Sequence, residues 1–144
     1  MISAAIPGKE EYINSEKFQI CTYDWFQQNK LITLITRINQ IRHQQPALQQ
    51  TNNIKFCHIE NENLIAFYKW DDHKTNEVLV IINLDDQNTQ QGYVQLPLHE
   101  LAIQESYKLQ VSDLITGNRY SWHNEWNFVE LQPSMPIHIF GINK

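Results

Sequence analysis

The sequence predicts a mainly β protein, an antiparallel β-sandwich of Greek-key type with about eight strands, preceded by an irregular segment and one α-helix. Three observations carry this expectation. Val78-Leu79-Val80-Ile81-Ile82 is an unbroken aliphatic run between Glu77 and Asn83. It is too short to cross a membrane and lacks the polar face of a surface helix, so it reads as a strand covered on both faces. From Ile54 onward, short apolar or alternating stretches recur with turn residues between them. Ahead of them lies a single stripe of helical period.

Taken in order, residues 1–28 show no clean period. Pro7-Gly8 is a turn signal, Lys9-Glu10-Glu11 is charged, and Tyr23-Asp24-Trp25-Phe26 is too aromatic for a free tail. Residues 30–45 read as a helix whose stripe is Leu31, Leu34, Ile35, Ile38 and Ile41, with Arg37, Gln40 and Gln44 opposite. Asn29 suits the N-cap and Pro46 ends the run. The Ile and Thr in this helix are mediocre formers, so it depends on docking that stripe, which is expected to be buried. Gln49 to Asn53 is a polar linker, giving an N-terminal part over 1–52 and a β domain over 53–144. Strands are expected at Ile54–Ile59, Leu64–Trp70, around Val78–Ile82, and at Gly92–Leu98, where Val94, Leu96 and Leu98 alternate with polar positions. Leu101–Glu105 suits a single helical turn. Tyr107–Leu114, Arg119–His123, Trp126–Leu131 and Ile137–Ile142 complete the set, with Thr116-Gly117-Asn118 as a hairpin turn.

Composition narrows the function. A hydrophobic content of 42% and a charged content of 19% are those of a globular chain. A net charge of −5 and a pI of about 5.6 argue against a nucleic-acid partner. No apolar run suits a membrane partner, and Met1 to Gly8 has no signal-peptide character. Two cysteines, Cys21 and Cys57, fit a reducing compartment, so a cytoplasmic protein is expected.

The residue types that carry chemistry lack the spacing for it. Glu10-Glu11, Asp71-Asp72 and Asp85-Asp86 are sequence neighbours, whereas glycoside chemistry needs carboxyls that face across a substrate. They read as solvated turn residues. The six histidines have no metal-ligand spacing, and neither cysteine lies in a C-x-x-C pair, so no metal or other cofactor is expected. There is no G-x-S-x-G, and four glycines make no phosphate cradle. No catalytic residue is assigned. Tyr23, Trp70, Tyr93, Tyr120, Trp122 and Trp126 are candidates for a sugar-stacking platform, with Trp122 and Trp126 foremost; core packing is the commoner use of such rings.

The run Gly8-Lys9-Glu10-Glu11-Tyr12-Ile13-Asn14-Ser15-Glu16-Lys17-Phe18 resembles the G-x-E-E-Y-x-x-S-E-K-Y stretch of maltosyltransferases that extend α-1,4-glucans from maltose 1-phosphate, within the α-amylase superfamily. The likeness continues through Ile38–Arg42, Gln45-Pro46-Ala47-Leu48, Val80–Asp85, Leu96-Pro97-Leu98, Asp113–Trp122, Trp126–Leu131 and Met135–Phe140. It implies a (β/α)8 catalytic barrel followed by an all-β domain. Residues 1–28 would follow the last barrel strand, 29–48 would be the last barrel helix, and 53–144 the β domain. The catalytic carboxylates of the family lie on earlier barrel strands. The resemblance therefore implies a non-catalytic C-terminal portion that supports the barrel. It places Lys17 and Phe18 at the donor sugar, with Phe18 lacking the hydroxyl of the family's tyrosine.

The same resemblance sets the partners. The helix stripe normally faces the barrel, so here it is expected to fold back on the sandwich or to meet another chain. That chain is either a second copy, giving a homodimer through helix 30–45, or a separate barrel-bearing chain. The alternatives are a stand-alone module that binds α-glucan through Trp122 or Trp126, and a structural interaction domain without a ligand.

Overall fold

The computed structural model describes residues 20, 22, 29–103 and 108–143. The chain divides between Lys30 and Leu31, and the architecture below is that of Leu31–Lys144, with the helix start at its edge. Its elements are α1 (Lys30–Gln44), a 3₁₀ turn (Pro46–Gln49), β1 (Ile54–Cys57), β2 (Leu64–Trp70), β3 (Glu77–Asn83), β4 (Gln90–Gln95), α2 (Leu98–Leu101), β5 (Leu109–Asp113), β6 (Arg119–Trp122), β7 (Trp126–Leu131) and β8 (Ile137–Asn143). The mainly β, antiparallel architecture expected from the sequence is observed. The single helical turn sits at Leu98–Leu101, earlier than expected, because Pro97 opens it and the left-handed Ala102 (φ 54°) closes it.

β3 is the axis of the fold. It lies between β2 and β8 in a six-stranded sheet of order β1-β2-β3-β8-β5-β6, every pairing antiparallel. All of its residues are buried except the half-buried Ile82. Because successive side chains alternate across a strand, β3 feeds two separate cores. Leu79 and Ile81 join Leu64, Ala66, Tyr68, Val111 and Phe140 on one face, closed by a two-stranded ribbon of β4 and β7 that contributes Val94, Val129 and Leu131. Val78 and Val80 join Ile139 on the other face, under Ile41 of α1 and Ala47 of the 3₁₀ turn. The result is a sandwich of unequal sheets, with a helical layer on its outer side.

Polar bonds fasten these layers. The buried Asn83 donates from Nδ2 to the Leu131 carbonyl at 3.2 Å, tying β3 to the ribbon. On the helical side, Asn76 accepts from the Ala47 amide at 2.9 Å and donates to Gln45 Oε1 at 2.6 Å. Lys69 Nζ reaches the Gln50 carbonyl at 2.6 Å, and Arg37 Nη2 reaches the Leu114 carbonyl at 2.6 Å. Among the described residues, every buried side-chain nitrogen and oxygen has a partner, as a stable interior requires.

The acidic pairs at 71–72 and 85–86 lie in turns, and Glu10-Glu11 lies outside the described residues. Asp71 accepts from the Thr75 and Asn76 amides and from the Thr75 hydroxyl. Asp85 accepts from the Gln87 and Asn88 amides and from the Asn88 and Gln90 side chains, which hold its carboxyl down at about 2. The β5–β6 hairpin turns at Gly117, whose φ of +81° suits a residue without Cβ.

The α1 stripe departs from expectation. Ile41 is buried at 1% exposure, but Leu31 is 62% and Ile35 48% exposed. From Ile41 to Leu31 the helix rises about 15 Å, and only its C-terminal part lies over the Val78–Val80–Ile139 face.

Since Ile81 is wholly buried between the large sheet and the ribbon, Ile81→Ala should lower unfolding free energy by roughly 2–5 kcal/mol. Urea denaturation of the two proteins checks this, and a loss below about 1 kcal/mol would put Ile81 outside the cooperative core.

Candidate functional site

The principal candidate for acid–base chemistry is Asp113 with His138. His138 Nδ1 lies 3.0 Å from Asp113 Oδ2, and its Nε2 lies 3.1 Å from the Glu130 carbonyl. Both neighbours accept, so satisfying both requires an N–H on each ring nitrogen, which is the imidazolium. Burial pushes the His138 pKa down, but the Asp113 carboxylate and the Glu130 carbonyl outweigh it, and the net shift is upward from 6.5. Burial likewise pushes Asp113 up, and the bonds from His138, the Ile115 amide and the Thr116 hydroxyl bring it below 3.8. The Asp113 side chain is 1% exposed. With both His nitrogens engaged and its carboxylate sealed, the pair has no lone pair for a substrate. It is a fastener between the β5–β6 turn, β8 and β7.

Other reactive groups are equally quiet. Burial pushes the free thiol of Cys57 up to about 11, so it stays protonated. No group of His, Cys, Asp and Glu among the described residues could hold a metal ion. No described helix is long and apolar enough to cross a membrane.

Two exposed surfaces remain. The first is apolar and lies on the helical side. A groove of about 370 Å³ runs between α1 and the sheet, lined by Ile38, Ile54, Phe67, Val80, Ile82 and Ile137 among others. Phe56 stands at its side, edge-on to Phe67 at 6.1 Å. Ile54 in its lining and the neighbouring Phe56 are 38% and 61% exposed, and on α1 Leu31 and Ile35, about two turns and one turn before Ile38, are 62% and 48% exposed.

The second surface is the outward face of the ribbon. β4 and β7 are paired with Gln91 opposite Glu130, Tyr93 opposite Phe128 and Gln95 opposite Trp126. Their inward residues Gly92, Val94, Asn127 and Val129 are buried, so those three pairs point out. Tyr93 and Phe128 meet edge-to-face at 5.6 Å and are about half exposed, 47% and 51%. Trp126 meets His58 edge-to-face at 5.4 Å. His58 is held there because its carbonyl accepts the Gln95 amide at 2.9 Å. A cleft of about 260 Å³ adjoins, lined by Lys55, Cys57, His58, Gln95, Glu100 and Glu125 among others. Its charged and amide groups are paired with one another, Lys55 to Glu100 at 3.2 Å and Gln95 to Glu125 at 2.6 Å.

Of the sugar-platform residues read from the sequence, Tyr93 and Trp126 come together and the other described ones do not. Trp122 is a core residue, 8% exposed, edge-on to Phe140 at 5.2 Å, with no open face for a sugar. Trp70 stacks on the buried Tyr68 at 5.0 Å. Tyr120 lies edge-on to Phe140 at 5.9 Å, on an edge strand of the large sheet, and Tyr23, Lys17 and Phe18 lie outside the described residues. Trp126 and Tyr93 do share a face, with Phe128 and His58, which sequence reasoning passed over. The signal was present: Trp126, Phe128 and Glu130 alternate with the inward Asn127, Val129 and Leu131.

Comparison with known proteins gives a consistent picture. Residues 56–142 match the family model described as "GLGE, C-terminal". Over 144 aligned residues the chain is 40% identical to an α-1,4-glucan:maltose-1-phosphate maltosyltransferase of Chlorobaculum tepidum, an alignment covering 95% of this chain and 22% of that protein. Proteins of the same description from Corynebacterium glutamicum and Pseudomonas aeruginosa are 39% and 33% identical, over 95% and 99% of this chain and 21% and 22% of theirs. The chain thus spans about a fifth of the length of the curated relatives it matches. Among solved structures, the noncanonic maltogenic α-amylase AmyB from Thermotoga neapolitana superposes with a TM-score of 0.61 at 11% identity, over 83% of this chain and 27% of that one. The α-amylase of Geobacillus thermoleovorans complexed with acarbose also gives 0.61 at 11% identity, over 85% and 25%. These two show the fold alone.

The Asp113–His138 pair sets a pH dependence. His138 titrates higher in the folded state, so its contribution is complete below about pH 6.5 and is lost as pH rises through the folded value. Asp113 titrates lower, so its contribution is present above about pH 3.8 and is lost as pH falls through the folded value. The pair should therefore stabilise most between those limits. His138→Gln should cost roughly 1–3 kcal/mol at pH 5.5 and less at pH 9, read from urea midpoints. A cost that does not change with pH would exclude the imidazolium.

Proposed function

The chain belongs to the GLGE, C-terminal family, and from that premise we propose that it is the non-catalytic C-terminal portion of an α-amylase-like enzyme that extends α-1,4-glucans from maltose 1-phosphate. In this reading α1 and the outer face of β1–β3 seat a catalytic barrel carried by the rest of such an enzyme. The chain itself contributes no acid, base or nucleophile to maltosyl transfer.

The observation that carries this reading is the incompletely covered second core. β3 presents Val78, Val80 and Ile82 to the helical side, yet α1 and the 3₁₀ turn cover only part of that face, leaving the groove beside Ile54 and Phe67. Leu31 and Ile35 on α1 and Ile54 and Phe56 on β1 add exposed apolar surface. Such a face is costly in water, about 25 cal/mol for each Å² of apolar area left uncovered. A barrel supplies the missing cover, and the relatives' much greater length supplies the source of one. The groove's lining is chiefly Leu, Ile, Val and Phe, with Arg42 and Lys69 as its charged residues and Lys69 bonded to the Gln50 carbonyl, and a largely apolar surface of this kind suits a permanent protein interface. A free thiol at Cys57 is compatible with the reducing cytoplasm, where this reading places the chain.

A second copy of the chain could cover the same face, and the test separates the two. The Chlorobaculum tepidum relative, made without the part that matches this chain, is mixed with the 144-residue chain. The expected outcome is a one-to-one complex by light scattering with regained maltosyl transfer, while the chain alone shows none. Leu31→Asp with Ile35→Asp should weaken assembly by about a hundredfold. A stable homodimer that ignores the truncated relative would overturn the barrel reading.

A further inference from the structure

We propose that the outward face of the β4–β7 ribbon is an accessory binding site for α-1,4-glucan chains, with Tyr93, Phe128 and Trp126 as its stacking residues. The ligand class rests on the maltosyltransferase reading above; the site rests on its own geometry.

Three aromatic side chains share this face because of register. Tyr93 stands opposite Phe128, and Trp126 precedes Phe128 by two positions on the same strand, roughly 7 Å along it. Engaging both ends takes a ligand longer than one sugar ring. The rings are held at set angles, Tyr93 against Phe128 at 66° and Trp126 against His58 at 85°. Behind them the ribbon is anchored by the buried Val94, Val129 and Leu131. A platform ordered before the ligand arrives loses little side-chain freedom on binding.

The polar groups between the rings select the ligand. Gln91, Gln95 and Glu130 share the face through the same register, and Glu60 adjoins because its amide donates to the Tyr93 carbonyl at 3.1 Å. Amides donate and accept, and carboxylates accept. No lysine or arginine stands among these positions, and Lys55 of the adjoining cleft is paired with Glu100 at 3.2 Å, so negative charge predominates on the face. It disfavours phosphate and nucleic acid and matches a neutral, hydroxyl-rich molecule. A pyranose presents C–H groups on its faces and hydroxyls at its rim, which fits rings fringed by amides and carboxylates. The α1–β1 side differs, its exposed large hydrophobic side chains being aliphatic apart from Phe56. The ribbon also lies on the opposite face of the large sheet from α1, so a barrel seated on the helical side leaves it open.

The test is native gel electrophoresis of the 144-residue chain through gels containing glycogen or, as control, a soluble β-1,4-glucan, with maltoheptaose as competitor. The chain should be retarded by glycogen, released by maltoheptaose and unaffected by the β-linked polymer. Tyr93→Ala and Phe128→Leu should each raise the apparent Kd for glycogen about tenfold or more. Both positions are half exposed, and Phe128→Leu keeps apolar bulk while removing the ring, so these variants should fold, which thermal unfolding confirms. Leu31→Asp with Ile35→Asp should leave retardation unchanged. Free migration of the wild-type chain in glycogen, or equal retardation of the ring variants, overturns the inference. Retardation by the β-linked polymer to the same degree overturns the assignment to α-1,4-glucan. A chain that assembles with the truncated relative yet ignores glycogen refutes this site alone, and one that binds glycogen but never assembles refutes the barrel reading alone.

Discussion

Everything in this chain follows from burying β3 on both sides. A strand of Val, Leu and Ile with no polar face must have a layer above it and a layer below it. Full burial of each such side chain contributes on the order of 1.5–3 kcal/mol. One layer, the β4–β7 ribbon, comes from the β domain itself and seals Leu79 and Ile81 completely. The other comes from α1 and the 3₁₀ turn, and it leaves Ile82 half-buried and Ile54 and Phe56 exposed. The two cores are therefore unequal: the one under the ribbon is sealed, and the one under α1 is left partly open.

Polar interactions then fix the layers rather than drive them together. Asn83 links β3 to the ribbon, Asn76 links the β2–β3 loop to the 3₁₀ turn, and Asp113 with His138 locks the β5–β6 turn to β8. Each is a buried or half-buried group whose removal strands a partner, which costs more than the bond's net contribution. The placement of these groups at layer junctions explains how a small ribbon can hold register against a six-stranded sheet. A ribbon of two strands is marginal by itself.

Much of this was legible in the sequence. The aliphatic run 78–82 announced a doubly covered strand, and the alternation of Tyr107, Leu109 and Val111 announced a sheet with one face inward, of which Leu109 and Val111 are buried and Tyr107 lies outside the described residues. The pairing of β8 between β3 and β5 was not legible, because long-range pairing leaves no local trace. Nor was the fate of the α1 stripe: periodicity says which residues share a face but not how far the surface beneath them extends. Trp122 and Trp126 illustrate the same limit. Both are tryptophans at strand ends, yet Trp122 faces the core and Trp126 faces outward, because they occupy opposite phases of the period-two pattern on different strands. Phase relative to Val129 and Leu131, rather than residue type, was the usable signal.

The two open surfaces differ in chemistry in a way that argues for different occupants. The helical side offers aliphatic area and a groove, the form of a protein core cut in half, and its cover has to exclude water over its whole extent to be stabilising. The ribbon face offers isolated rings set among amides and carboxylates, a surface that tolerates water and is not destabilised by standing empty. The first therefore suits a permanent neighbour and the second a transient ligand. Their location on opposite faces of one sheet lets both be engaged together. A domain seated on a barrel through α1 and β1 would carry the ribbon face outward as it docks, so a polymer held there would stay tethered while its end is extended elsewhere. Tethering of this kind raises the effective concentration of chain ends without any new contact at the reacting atoms, and it requires the ribbon to be rigid. Its buried inner side, bonded through Asn83 to the most buried strand of the fold, provides that rigidity.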